Sequence, residues 1–187
     1  MSITIEPIES RHGACIQKVV SDPEIARTSE IPDALPPEGA GAWIERMKVR
    51  REQGRALTFA ILTDNCVVGV CQLGSRDRTI SDSAELGFFV GKSFWGRGYA
   101  TEASRLVLAH AFRELGLTSV SATCLAWNTG AVRVLEKLGF EFTHTGPPPR
   151  GSKFPKTEQF QYWILTSEGW AAASKLTSEA IQNGKPA

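Results

Sequence analysis

Apolar residues recur along this chain in two rhythms, every second position and every third or fourth, and the switches between them outline its elements. Ile3, Ile5 and Pro7 stand on alternate positions and predict a first strand, and Ser10 is placed to cap a short helix toward Val20. From Ala42 to Gln53, Trp43, Ile44 and Met47 gather on one side and Glu45, Lys48 and Arg51 on the other, which predicts an amphipathic helix. Leu57 to Thr63 and Cys66 to Leu73 are apolar runs joined at Asp64-Asn65, a hairpin signal. The pattern then predicts a strand over Ala84 to Gly91, a helix over Thr101 to Leu115, a strand over Ser119 to Leu125, a helix over Asn128 to Leu138 and a strand over Phe140 to Thr145. Gly146-Pro147-Pro148-Pro149 breaks the chain before a last strand, Glu158 to Leu165, and a tail helix capped at Ser167 and running toward Ile181. Ser21 to Gly41 holds four prolines and two glycines with little periodicity and reads as a mobile active-site segment. With no repeat or low-complexity tract, the expected architecture is an α/β (α+β) fold, a mixed sheet flanked by helices.

Composition narrows the class. With 187 residues, 42% of them hydrophobic and 22% charged, the chain is long enough to bury a full core and fits one domain, 1–187. A net charge of +1 without any block of like charges argues against nucleic acid as the partner and leaves no polybasic membrane patch. No run is long enough to span a bilayer, and the first twenty residues carry Glu6, Glu9, Arg11 and Lys18, which leaves no signal peptide; a cytoplasmic protein is expected. Cys15, Cys66, Cys71 and Cys124 show no Cys-x-x-Cys spacing, and strand alternation sends Cys66 and Cys71 to opposite faces, so reduced thiols are expected. His12 and His110 have no ligand partners at metal spacing, so no metal is expected.

The candidate chemistry begins where the strand ending at Val90 hands over to the helix beginning near Thr101. Gly96 and Gly98 leave backbone N–H groups uncovered by any Cβ, and a helix N-terminus adds its own N–H groups and the positive end of its dipole, which suits a pyrophosphate. A plain strand-to-helix turn without ligand is the competing reading. The dinucleotide fingerprint requires a third glycine where Thr101 stands, and the surrounding βαβ units are missing. Gly87-Phe88-Phe89-Val90-Gly91-Lys92-Ser93 is one residue short of a P-loop and runs into another turn, which leaves Lys92 as a solvated loop charge.

A second motif lies downstream. In Asn128-Thr129-Gly130-Ala131-Val132-Arg133-Val134-Leu135-Glu136-Lys137-Leu138-Gly139-Phe140, an apolar stripe of Ala131, Val134, Leu135 and Leu138 is opened by an Asn cap and closed by a glycine. The strand from Glu85 to Val90, the loop from Trp95 to Ala103 and this capped helix together resemble the GCN5-related N-acetyltransferase (GNAT) superfamily, most of all its ribosomal-protein N-terminal acetyltransferase branch. The resemblance runs from about Ile5 to Leu165, with 166–187 as a tail. It implies one domain around a mixed, mostly antiparallel sheet of six to seven strands. It also implies acetyl-CoA as cosubstrate, with the pyrophosphate on the loop from Gly96 to Ala100, cofactor contacts spread over Trp95, Gly96, Arg97, Gly98, Tyr99, Ala100 and Thr101, the strand with Phe89 and Val90 beside the thioester, and Asn128, with Ala131 after it, contacting the pantetheine arm or nearby backbone. Two positions depart from the superfamily pattern: Trp95 stands where Gln or Arg is usual, and Leu135 stands where a tyrosine often protonates the leaving thiol. A thiol with a pKa near 8.5 leaves readily as thiolate, so the second departure is compatible with turnover.

Acyl transfer to an amine needs a proton acceptor and a donor for the oxyanion. Glu85 is the first candidate base, sharing a strand face with Gly87 and Phe89; a strand-face carboxylate paired with an arginine is the competing reading. The donor is a backbone N–H near Phe89 or Val90, provided the strand is splayed or bulged at Gly87. His144 reads as structural, Glu102 as support for the helix start, and Trp43, Trp127 and Trp163 as core or pocket lining. Direct transfer is expected unless Cys71 or Cys124 lies at the site. The acceptor is expected to be a primary amine: a protein N-terminus first, a polyamine or antibiotic second, with a non-catalytic acyl-CoA sensor as the different-class alternative. A monomer or homodimer is expected, the apolar last strand being free to pair with a second chain.

Overall fold

The computed structural model describes residues 3–30, 39–64, 66–75 and 80–182, with 175–182 described by their backbone alone. Seven strands form one sheet: β1 (Thr4–Pro7), β2 (Ala56–Thr63), β3 (Cys66–Gly74), β4 (Ser83–Val90), β5 (Ser119–Leu125), β6 (Glu141–Gly146) and β7 (Phe160–Thr166), in the order β1-β2-β3-β4-β5-β7-β6. Every pairing is antiparallel except β4 with β5. That pair needs a crossover, and the long helix α4 (Tyr99–Arg113) supplies it.

Helices cover both faces. Ile16 of α1 (Gly13–Val20), Ile25 of α2 (Pro23–Thr28) and Ile44 of α3 (Gly39–Glu52) pack with Ala60, Val67 and Val70 of the sheet. On the other face Ala103, Val107 and Leu108 of α4, Leu135 of α5 (Thr129–Lys137) and Trp170 of α6 (Ser167–Gln182) pack with Leu86, Val120 and Trp163. Each fully buried aliphatic side chain contributes roughly 1.5–3 kcal/mol, so the two layers hold the sheet without disulfides. All four cysteines are indeed free thiols.

Several expectations are corrected here. The segment read as irregular, Ser21 to Gly41, contains α2, because Asp22 accepts from the Glu24 N–H and Pro23 sits at the first helical position, where its missing N–H costs nothing. Residues 31–38 of that segment, and Asn65 of the hairpin turn, lie outside the described residues. A 3-10 turn, Ser10–His12, precedes α1 and is entered from Glu9, whose N–H donates to His12 Nδ1 at 3.1 Å, so Ser10 is inside the turn and does not cap it. The tail helix is capped by Thr166, whose Oγ1 accepts from the Gly169 N–H at 3.1 Å, one residue before the expected Ser167. The register between β2 and β3 shifts at Ile61/Leu62, so Val67 and Val70 join one core layer while Val68 and Cys71 join the other, and the simple alternation from Cys66 to Cys71 is broken. The last strand, β7, is interior; the edge beside it is β6, which doubles back from α5.

Candidate active site

β4 and β5 run side by side only from Ser83–Ser119 to Leu86–Ala122, after which they part. The helices on the two faces cannot follow both strands at once, and a cavity of about 1050 Å³ opens in the split. Its lining runs from Glu85 through Val90, past Trp95, Gly96 and Gly98 into the first turn of α4, and back along Thr123, Cys124, Asn128 and Ala131. Opposite lie the end of α2 and Trp43, Met47 and Arg50 of α3. Phe89, Val90, Trp95, Gly96, Gly98, Tyr99, Ala100, Thr101, Asn128 and Ala131, separated by up to 42 positions in the chain, thus share one cavity. Arg97 is the exception, its guanidinium lying 5.6 Å from the ring centroid of Phe94 and outside that lining.

The donor-side wall is built by the glycine turn. α4 starts at Tyr99, two residues earlier than expected, because Gly98 at φ +80° turns the chain directly into the helix as its N-cap. Gly96 adopts φ +75°, and a Cβ on either glycine would meet nothing within 4 Å, so the backbone here faces open space. Gly98 has no side chain to satisfy the first-turn N–H groups of α4, which leaves the positive end of that helix facing the cavity. Trp95 is half exposed and its indole N–H donates to the Val90 carbonyl at 2.6 Å. The ring therefore braces the end of β4, and its one polar atom is already engaged.

The split also exposes peptide groups. The Gly91 N–H donates to Val68 O at 2.8 Å, which continues the β3–β4 register, so odd-numbered residues of β4 bond to β3 and Phe88 and Val90 turn their peptides toward the split. Of the two peptide groups expected near an oxyanion, Val90 N–H points toward the split and Phe89 N–H points into the sheet; the Phe88 N–H also faces the split.

Glu85 stands where the split begins. It is half-buried, and Thr123 on the far side of the split donates its hydroxyl to Glu85 Oε1 at 3.1 Å. Thr123 was not legible from the sequence, because only the parallel register of β4 and β5, which sets Glu85 beside Ser121, brings the residue two places further on within reach of it. Asn128 is occupied at both ends of its amide: Oδ1 accepts from the Ala131 N–H at 3.1 Å, and Nδ2 donates to the Thr28 carbonyl at 3.4 Å, tying α5 to α2. Leu135 lines the cavity as a buried apolar wall. Cys124 lines it too, but burial pushes its thiol up to about 11, with a hydrogen bond involving Trp163 pulling the other way; burial pushes Cys71 up to about 12. Both are protonated at neutral pH and poor nucleophiles.

The remaining candidates separate cleanly. Trp43 and Trp127 line the cavity, and Arg27 stacks over the Trp127 ring at 4.6 Å, whereas Trp163 is core. His144 lies on the exposed edge strand, stacked on Tyr162 at 4.5 Å. Glu102 pairs with Arg105 at 2.7 Å on the outer surface of α4.

A mixed sheet split beside a glycine-capped helix gives an extended ligand room along the split and its anionic end a helix N-terminus. The family model for the acetyltransferase (GNAT) domain matches residues 2–141, and the chain belongs to that family. It is 37% identical over 105 residues to the probable N-acetyltransferase YjcK of Bacillus subtilis, an alignment covering 55% of this chain and 58% of the relative's own length. Among solved structures, RimJ of Mycobacterium smegmatis in complex with CoA-disulfide superposes with a TM-score of 0.81 at 21% identity, covering 95% of this chain and 89% of RimJ. Spermidine N-acetyltransferase of Vibrio cholerae, in complex with CoA and spermine, superposes at 0.75 with 15% identity, covering 90% of this chain and 98% of that one. The fold expected from the resemblance is the fold found.

Proposed function

We propose that the protein is an acyl-CoA-dependent N-acetyltransferase that moves the acetyl group of acetyl-CoA directly to a primary amine, working as one domain with its core over 5–165 and its tail, 166–187, attached through Trp170 against Phe112. The observation that carries this reading is the parting of β4 from β5 beside the glycine-capped start of α4. One cavity then offers an anion seat at one end and, deeper in, two inward peptide groups and a carboxylate.

In this reading Gly96, Gly98, Ala100 and Thr101 hold the pyrophosphate by backbone N–H groups, and the pantetheine lies along the split past the Asn128 turn. An amine of pKa roughly 8–10 is mostly protonated at neutral pH, so Glu85, oriented by Thr123, takes its proton through a water. The neutral nitrogen attacks the thioester carbonyl, whose oxygen is received by the N–H of Val90 or Phe88. The C–S bond then breaks, CoA departs as thiolate, and the second proton of the attacking nitrogen passes to that thiolate or to solvent, so the step does not need an acid at Leu135. With Cys124 protonated, an acyl-enzyme has no ready nucleophile, and direct transfer follows.

A protein N-terminal amine is the first acceptor considered, on the likeness to RimL, a ribosomal L7/L12 alpha-N-protein acetyltransferase, and a polyamine or antibiotic the second, on the likeness to a spermidine acetyltransferase. The two share this fold, so the choice lies with the wall residues facing Glu85. CoA release from acetyl-CoA, followed across N-terminal peptides, amino acids, polyamines and aminoglycosides, tests the reading: turnover with at least one amine is expected. Tight acetyl-CoA binding with no turnover on any amine would favour the sensor.

A further inference from the structure

Arg27, Glu30, Glu85 and Arg50 are among the charged side chains that line the cavity, and the first three have partners nearby. Arg27 pairs with Glu24 at 2.7 Å, Glu30 accepts from Ser152 Oγ at 2.7 Å, and Glu85 accepts from Thr123 at 3.1 Å. Arg50, in the last turn of α3, differs. Its Nη2 donates to the Ser75 carbonyl at 2.8 Å, but Nε is buried without a partner and no carboxylate pairs with it among the described residues. Burial and the neighbouring Arg55 both weigh against its charge. A guanidinium held in that situation gains most from an anion that reaches it.

Its place in the register gives that anion a location. Ser75 directly follows Gly74, and Gly74 faces Glu85 across the β3–β4 pair. Opposed residues on antiparallel strands lie about 4.5–5.5 Å apart, so Arg50 and Glu85 flank one corner of the cavity without forming an ion pair with each other. A ligand bridging them carries an amine toward Glu85 and an acid toward Arg50.

We infer that the acceptor is an amine bearing a carboxylate a few atoms from the reacting nitrogen, bound through Arg50. This deepens the transferase reading above and rests on it. Two sources share that chemistry, a free amino acid and a peptide whose first residue is acidic, and a polycationic amine lacks it.

The test uses the full chain with Arg50→Gln and Arg50→Lys, both checked for an unchanged melting temperature. Acceptors are amino acids, their amides, the corresponding decarboxylated amines, and peptides beginning with Asp or Glu beside those beginning with Asn or Gln. Wild type should favour the carboxylate-bearing partner of a pair by about 10- to 100-fold in kcat/KM, mostly through KM, the range that a hydrogen bond to a charged group spans. Arg50→Gln should erase that preference by lowering kcat/KM for the carboxylate-bearing partner far more than for the neutral one, and Arg50→Lys should restore part of it. Preference for the free amino acid names that source, and preference for the acidic peptide names the other. Equal rates on acid and amide, or an Arg50→Gln loss equal on both, would overturn the inference while leaving the transferase reading intact. Thermal stabilisation by the acceptors is read alongside. Stabilisation by the acid and not the amide, lost in Arg50→Gln, supports the anion site even with no turnover, in which case the transferase reading alone falls; no such difference overturns the site.

Discussion

Two helices begin at the same cavity, and they begin differently. α5 is capped by Asn128, whose amide accepts from the Ala131 N–H and donates to the Thr28 carbonyl, so its first turn is closed and tied to α2. α4 is capped by Gly98 in the left-handed region, with no side-chain bond to its first turn. Both starts carry the positive end of a helix dipole. The α4 start has no side-chain partner for its first-turn donors, whereas α5 uses its cap to fix the wall. A good capping residue and a good anion site are opposed uses of the same backbone groups, and in the function proposed above the glycine-for-asparagine difference separates ligand seat from scaffold.

The largest effect expected comes from neither helix. If the helix starts only seat and frame the ligand, Glu85→Gln should lower kcat by roughly 10² to 10⁴ with acetyl-CoA affinity close to wild type. Raising the pH should recover part of the rate, because more of the acceptor amine is then already neutral. A wild-type rate across the pH range would make Glu85 structural, and a fall in acetyl-CoA affinity would move the seat away from α4.

Next comes the α4 start itself. At Gly98 a Cβ meets nothing within 4 Å, but φ is +80°, so Gly98→Val adds some backbone strain and fills the space where a pyrophosphate approaches. Acetyl-CoA affinity should drop about 10- to 100-fold, about 1.4–2.8 kcal/mol. In wild type, acetyl-CoA should raise the melting temperature and ATP or NAD at equal concentration should not. Unchanged affinity in a folded Gly98→Val protein would erase the distinction between the two helix starts.

Asn128→Ala should behave in the opposite way. Removing the cap costs about 1 kcal/mol of stability, read as a lower midpoint in urea, with acetyl-CoA affinity changed less than in Gly98→Val. A greater loss of affinity than of stability would give the Asn128 side chain a direct role at the pantetheine.

The smallest effect belongs to Cys124, just before the α5 start. Its thiol, raised to about 11, is protonated at pH 7, so Cys124→Ala should leave turnover within about threefold and alkylation of the native protein should be slow, rising with pH toward that value. The raised value favours the folded state below the ordinary thiol range and loses that contribution as pH climbs from about 9 toward about 11. An acyl-thioester trapped on Cys124 would replace direct transfer with a two-step route.

Local pattern carried most of the fold. The alternation in β2 to β5, the stripe of Ala131, Val134, Leu135 and Leu138, and the Asn128 and Gly139 signals each reflect a period or a cap that a few neighbouring residues decide, and each element lies within a few residues of its expected bounds. The glycine turn was legible for the same reason: positive φ and an uncovered backbone are local properties of Gly96 and Gly98. Elements misread from the sequence were those whose local signal was weak, such as the six-residue α2 among prolines. What only the tertiary structure decided is whatever depends on which strand lies beside which. The parting of β4 and β5 after Leu86–Ala122, the turn of Val90 and not Phe89 toward the split, Thr123 on Glu85 and Arg50 on the Ser75 carbonyl all follow from register and packing between residues 21 to 38 positions apart in sequence. Side-chain periodicity reports which face of an element is buried but carries no information about the partner that buries it, so the chemistry of the acceptor wall became visible only once the sheet was assembled.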